Sequence, residues 1–216
     1  MKIINVLRYV MRARRGIKPA YKRSHVILTL IKLLKGPIGR ISLSKELGIG
    51  EASSRTLLNR LRELGLIYVD NVAGAVLTDK GREVIHEFLN KVRLIGEVNL
   101  EGLINDNFSN YLAIIRNGID LVNIIGGVLR LRDLFVRYGA EGAVILYYLN
   151  NEIYMPLPNE LLKVDKEKPF YKELINLKLQ DKDLILIALC RRNEKSRCIE
   201  IILNVVIDLL SQKCIN

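Results

Sequence analysis

The stretch Ser42 to Ile67, SLSKELGIGEASSRTLLNRLRELGLI, constrains the fold more than any other part of the chain. Residues 42–48 make a helix too short to stand alone, because isolated helices under about 12 residues are marginal in water. Ser42 is placed to cap it, with Glu46 near its positive dipole end. Gly48-Ile49-Gly50 turns the chain, and a second helix runs from about Glu51 to Leu64. Its Ser54, Leu57, Leu58, Leu61 and Leu64 follow i, i+3, i+4, i+7 spacing and form the inward stripe. The short helix then acts as a brace, and the longer one presents a polar face outward.

The flanking segments complete the pattern. Arg23 to Lys35 reads as an apolar helix with Ile27, Leu30, Ile31 and Leu34 at helical spacing, stopped by Gly36-Pro37. Leu66 to Asp70 and Ala75 to Thr78 form a hairpin across Asn71-Val72-Ala73-Gly74, and Thr78 or Asp79 caps a helix reaching about Leu94. Helix, short helix, turn, helix, hairpin, helix is the order of a winged helix-turn-helix. SSRTLLNRLRELGLI and LTDKGREVI resemble the recognition helix, wing and following helix of MarR-type and related prokaryotic winged-helix regulators. The resemblance covers roughly residues 23–95 and implies that the longer helix enters the major groove of DNA.

Charge points the same way. Residues 1–95 carry 8 lysines and 11 arginines against 7 acids, a net +12, whereas residues 96–216 carry 15 basic and 16 acidic residues, a net −1. Such asymmetry predicts a polyanionic partner for the first part. On the longer helix the open side holds Ser53, Arg55, Thr56, Asn59 and Arg60, with Arg62 turned further away. Arg55 and Asn59 are the candidates for base contacts, since Arg grips guanine O6 and N7 and Asn grips adenine with two bonds. Ser53, Thr56 and Arg60 are candidates for phosphates. The N-terminal run RYVMRARRGIKPAYKR adds Arg12, Arg14 and Arg15, and Arg8, Arg12 and Arg15 share a face if the run is helical. It reads either as an arm adding phosphate or minor-groove contacts or as a docked helix that helps dimerise. The hairpin tip has no Lys or Arg and is expected to add little binding energy.

Residues 96–109, GEVNLEGLINDNFS, lose helical periodicity and read as a linker between a DNA-binding domain over 1–95 and a second domain over 110–216. The second domain reads as two-layer α+β. Its expected strands are 111–116, 143–149, 152–155 and 184–190, the last central; its expected helices are 128–138, 169–177 and 198–211. Arg116, Gly118, Gly127, Arg132-Asp133, Gly139-Ala140, Gly142-Ala143 and Met155-Pro156 resemble the second domain of an archaeal family of two-domain winged-helix proteins. That domain is similar in fold to the GAD domain of some aspartyl-tRNA synthetases and tRNA amidotransferases. The sequence departs from that pattern at Leu131, Val144 and Ile145, which are apolar. Arg116, Arg132 and Asp133 are the candidates for a small anionic effector, because a guanidinium fork suits carboxylate or phosphate. The alternative is a structural Arg–Asp pair fixing helix to sheet.

The remaining signals exclude other classes. IIGG at 124–127 has neither phosphate-loop spacing, and no Ser-His-Asp, Cys-His or paired-carboxylate arrangement stands out, so no enzyme, cofactor or metal site is expected. Cys190, Cys198 and Cys214 form no CxxC pair. They read as small apolar residues, or Cys190 and Cys198 form a bridge in a hyperthermophile, a source at which the scarcity of glutamine hints. No apolar run approaches a membrane span and no secretory signal precedes the arginines, so a soluble cytoplasmic protein is expected. The reading is a sequence-specific transcription regulator, homodimeric, with double-stranded DNA as partner. Two alternatives stay open: an RNA- or protein-binding adaptor, and a fused regulator–enzyme with a small-molecule site near Arg132 and Asp133.

Overall fold

The computed structural model describes residues 2–104 and 108–212. The chain divides into two compact units, residues 1–90 and 91–216. Cys214 lies outside the described residues.

The first unit is mostly helical. α1 (Ile3–Val10) buries Ile3, Ile4, Val6, Leu7 and Val10, and packs against α2 (Arg23–Lys35) and α4 (Glu51–Glu63). Only residues 8–10 of the basic N-terminal run belong to this docked helix and the rest leaves it in a turn, which removes the shared face expected for Arg8, Arg12 and Arg15. α3 (Arg40–Leu47) begins two residues before Ser42, with Gly39 at its cap position, so Ser42 lies inside the helix. Gly48 at φ 62° supplies the left-handed residue that ends α3. α4 turns Ser54, Leu57, Leu58 and Leu61 inward as their spacing requires, while Leu64 is half-buried. The buried Ser54 hydroxyl donates to the Arg40 carbonyl, 3.1 Å, and so fixes α4 to the start of α3.

Strands β1 (Ile67–Asp70) and β2 (Gly74–Leu77) pair antiparallel, with Ile67 opposite Leu77 and Asp70 opposite Gly74. Asp70 closes the tip by accepting from the Val72 and Ala73 amides at 2.8 and 2.7 Å. α5 (Asp79–Lys91) follows, and a Cβ on its Gly81 would stand 2.1 Å from the Leu66 carbonyl oxygen. Glycine is required there because helix and backbone approach too closely for a side chain. α5 ends at Lys91, not near Leu94. The β-branched and aliphatic run after it forms a strand of the second unit.

The second unit is built on a six-stranded antiparallel sheet. Its elements in chain order are β3 (Val92–Gly96), β4 (Phe108–Ile115), α6 (Ile119–Ile124), α7 (Val128–Arg137), β5 (Gly142–Leu149), β6 (Glu152–Pro156), β7 (Leu161–Lys163), α8 (Pro169–Ile175), β8 (Asp183–Arg191) and α9 (Lys195–Gln212). The strand order is β3-β4-β8-β5-β6-β7, which puts β8 between β4 and β5 as its continuous apolar run requires. α7 packs on β5, and α9 on β4 and β8. A disulfide joins Cys190 on β8 to Cys198 on α9, with Cα atoms 5.8 Å apart.

The expectation of two layers is too simple. The other face of the sheet is also covered, by Phe170, Tyr171 and Leu174 of α8 and by Val98 and Leu100. β8 is accordingly buried at every position but its last. The stretch 96–109 therefore does not serve as a free linker where it is described. The buried Asn110 side chain bonds both the amide and the carbonyl of Val98, at 3.0 and 2.9 Å, in place of a strand partner.

Candidate nucleic-acid interface

α4 presents four polar residues outward. Arg55, Thr56 and Asn59 are exposed and Ser53 is half-buried. The Thr56 hydroxyl donates to the Ala52 carbonyl one turn back, 2.9 Å, which leaves its lone pairs outward. Arg55 and Asn59 form no side-chain hydrogen bond or ion pair among the described residues, so both are free to meet a ligand. Two grooves flank this face. One, of about 410 Å³, runs between α3 and α4 and is lined by Arg40, Ser42, Arg55, Asn59, Arg62 and Val69, among others. The second, of about 460 Å³, lies across α4 and is walled by residues 17–21, with Ser53, Thr56 and Asn59 along it. Asn59 borders both. Arg40 and Arg62 thus join the face, although helix periodicity alone assigns them little.

Arg60 does not belong to it. Its side chain is 4% exposed, and Nη1 donates to the Val10 and Arg12 carbonyls at 2.6 and 2.7 Å. A phosphate cannot reach it. The reason is α1, which covers the flank of α4 that spacing leaves open and brings two carbonyls onto the guanidinium. The buried Tyr21 hydroxyl donates to the same Val10 carbonyl, 3.0 Å; burial pushes its phenol up from the ordinary value.

Arg14 is also committed. It pairs with Glu63 at the end of α4, lies 5.8 Å from the Tyr9 ring centre, and donates to the Tyr9 hydroxyl at 3.2 Å. Tyr9 in turn donates to Glu63, 3.1 Å. Hydrogen bonding from Arg14 draws the Glu63 carboxyl down to about 2, and Arg14 itself is raised. Arg14 is therefore a strut and not a phosphate contact. Arg12 and Arg15 remain exposed on either side of it.

The effector candidates of the second unit are not brought together by any mutual bond. Arg116 forms an ion pair with the fully buried Asp183, which also accepts from the Gln180 amide at 2.8 Å. Burial raises the Asp183 carboxyl against the pull of that amide and of Arg116. Arg116 is thus held by Asp183 at the start of β8, a pair within the sheet and not the helix-to-sheet pair expected among Arg116, Arg132 and Asp133. Arg132 and Asp133 stand exposed on α7, while Leu131 before them turns into the core. A groove of about 430 Å³ opens elsewhere in this unit, beside Gly126, Gly127, Tyr147 and Leu157.

Among the described residues no group of three or more His, Cys, Asp or Glu is placed to hold a metal. No helix among them is long and apolar enough to cross a membrane.

Comparison with known proteins separates the two units in the same way. Residues 25–83 match the family model described as PH0730-like, N-terminal domain, and residues 107–209 match a domain of unknown function, DUF4443. The chain is 28% identical to a solved structure, hypothetical protein PH0730 from Pyrococcus horikoshii OT3. The match covers 89% of this chain and 95% of that one, with a TM-score of 0.65. The likeness runs through both units. No curated protein is significantly similar to the sequence.

Proposed function

We propose that the protein is a DNA-binding transcription regulator whose first unit is a winged helix-turn-helix. α3 and α4 are the helix-turn-helix, α4 is the recognition helix, and the β1–β2 hairpin is the wing. The observation that carries this reading is the outward face of α4. It presents Arg55, Thr56 and Asn59 unencumbered, beside Arg40 and Arg62, in the half of the chain that holds the excess positive charge. Arg55 and Asn59 have the donor patterns that read guanine and adenine in the major groove. The second unit, read as a GAD-like α+β domain, would serve dimerisation or sensing. A homodimer presenting two copies of α4 would read half-sites about 34–36 Å apart.

An adaptor reading draws on a different observation. Tyr68, Val69 and Val72 of the hairpin are exposed, Val72 at 97%, and such apolar groups suit a protein partner. Equilibrium competition between duplex DNA and RNA of equal length distinguishes the regulator from the RNA-binding form of the adaptor. The regulator reading expects duplex DNA to win, with affinity falling steeply as salt rises. RNA displacing the duplex at near-physiological salt would replace that reading with the adaptor.

A further inference from the structure

We propose that the turn spanning residues 12–18, and not the β1–β2 hairpin, grips the phosphate backbone beside α4. This rests on the DNA-binding reading of α4 and adds the element that holds the duplex there. The turn is a built feature. Arg14 and Ile17 exchange both backbone hydrogen bonds, each 3.0 Å, across a two-residue tip. Arg15 and Gly16 at that tip have φ of 50° and 77°. Left-handed geometry at two successive tip residues is the requirement of a tight reversal, and an arginine there is uncommon.

Three contacts fix this turn against α4. Buried Arg60 bonds the Val10 and Arg12 carbonyls on the way into it. Arg14 within it pairs with Glu63 at the end of α4. Tyr9 braces both members of that pair. The arginine and the acid nearest the turn are thereby consumed by each other. The cations left pointing outward are Arg12, Arg15 and Lys18, which have no ion-pair partner among the described residues. Lys18 stands on the wall of the groove whose other side carries Ser53, Thr56 and Asn59, and Arg12 and Arg15 are exposed on the same turn.

The hairpin offers the opposite chemistry. Its tip carries no cation, Val72 is almost wholly exposed, and the Asp70 carboxylate beside it is anionic. Backbone bonds from Ala73 and Val72 hold Asp70 below the usual carboxylate range. A charged carboxylate next to an apolar tip repels phosphate. A rigid basic turn beside a recognition helix attracts it with little ordering cost, because the bonds to α4 have already fixed the turn.

The test compares wild type with the triple variant Arg12→Gln, Arg15→Gln, Lys18→Gln, and with Val72→Ser as the hairpin control. Affinity is measured across a salt series for the duplex each protein selects and for an unrelated duplex, with thermal melts to confirm folding. The triple variant is expected to lower the slope of log affinity against log salt by about 0.9 for each phosphate the turn no longer neutralises. The drop is expected on both duplexes, with the selected motif unchanged, and Val72→Ser is expected to leave the slope where it was. A folded triple variant with the wild-type slope overturns the proposal, as does a slope that falls with Val72→Ser instead. If wild type selects no motif yet the triple variant still lowers the slope on unrelated duplex, the reading of α4 falls and the role of the turn stands. Absence of any duplex binding by wild type overturns both.

Discussion

Each unit ties an arginine to buried acceptors, and the two are treated differently: Arg60 is itself buried, whereas Arg116 is half-buried. In the first unit Arg60 lies between two backbone carbonyls, with no acid bonded to it and its Nε without a partner. In the second, Arg116 meets the carboxylate of Asp183, which has no exposure at all. The first arrangement leaves a positive charge uncompensated by any anion in direct contact, in a unit already rich in cations. The second neutralises its charge inside a sheet covered on both faces. The difference matches what each unit presents: one an open cationic surface around α4, the other a nearly neutral body closed over β8.

The largest effect is expected where the charge pair is deepest. Arg116→Ala leaves the Asp183 carboxylate buried without its guanidinium, and we expect a loss of about 3–5 kcal/mol in unfolding free energy. A urea titration followed by circular dichroism measures it, and a loss under about 1 kcal/mol would show that the pair does not hold the second unit. Arg60→Met keeps the stem but strips the Arg12 carbonyl of its donor and leaves the Val10 carbonyl to the Tyr21 hydroxyl alone. It is expected to cost about 2–3 kcal/mol, because hydrogen bonds to charged groups are stronger than neutral ones. It should also speed amide exchange at residues 11–14, the signature of a released turn. If Arg60→Met is neutral, the contrast between the two arginines collapses.

Gly81→Ala asks whether the first unit also depends on close backbone approach. The added Cβ would collide with the Leu66 carbonyl, and overpacking of that kind costs about 1–3 kcal/mol. The same substitution at Gly39, where a Cβ meets nothing within 4 Å, is the comparison and is expected to be far milder.

The smallest effect is the pH dependence of the Arg14–Glu63 strut. The folded Glu63 carboxyl lies at about 2 against an ordinary 4.5, so its contribution to stability is present above 4.5 and is lost as pH falls toward 2. Wild type and Glu63→Gln should therefore differ in melting temperature at pH 6 and converge near pH 2. Curves that stay parallel over that range would remove Glu63 from the account of the turn.

Much of this is legible in the sequence, and the failures have physical causes. The apolar ladder Leu57, Leu58, Leu61 places α4, and the unbroken run Leu184 to Cys190 places the central strand, because burial on one or both faces writes itself into periodicity. Arg60 is misplaced by its spacing because a helix's periodicity describes one packed face, and α1 supplies a second. The broken pattern of residues 3–10 gives little sign that α1 docks there. Residues 98–100 resemble a linker because their hydrogen bonds come from the Asn110 and Glu173 side chains and from a local turn, and not from a ladder. β7 escapes notice because all three of its residues are exposed, and α6 because it is six residues long. Proximity to a motif points to Asp133 as the acid of a structural pair, whereas the fold brings Asp183 to Arg116 from 67 residues away.

The central claim is that α4 reads duplex DNA, and selection of genomic fragments tests it most directly. Wild type, Arg55→Ala and Asn59→Ala would each select fragments at near-physiological salt, followed by affinity measurements at single-base variants of the enriched site. We predict one motif for wild type, with each substitution costing about 1–3 kcal/mol and relaxing a single base position. Equal, salt-dependent binding by all three proteins with no enriched motif would contradict the claim and leave the first unit a cationic surface without sequence readout.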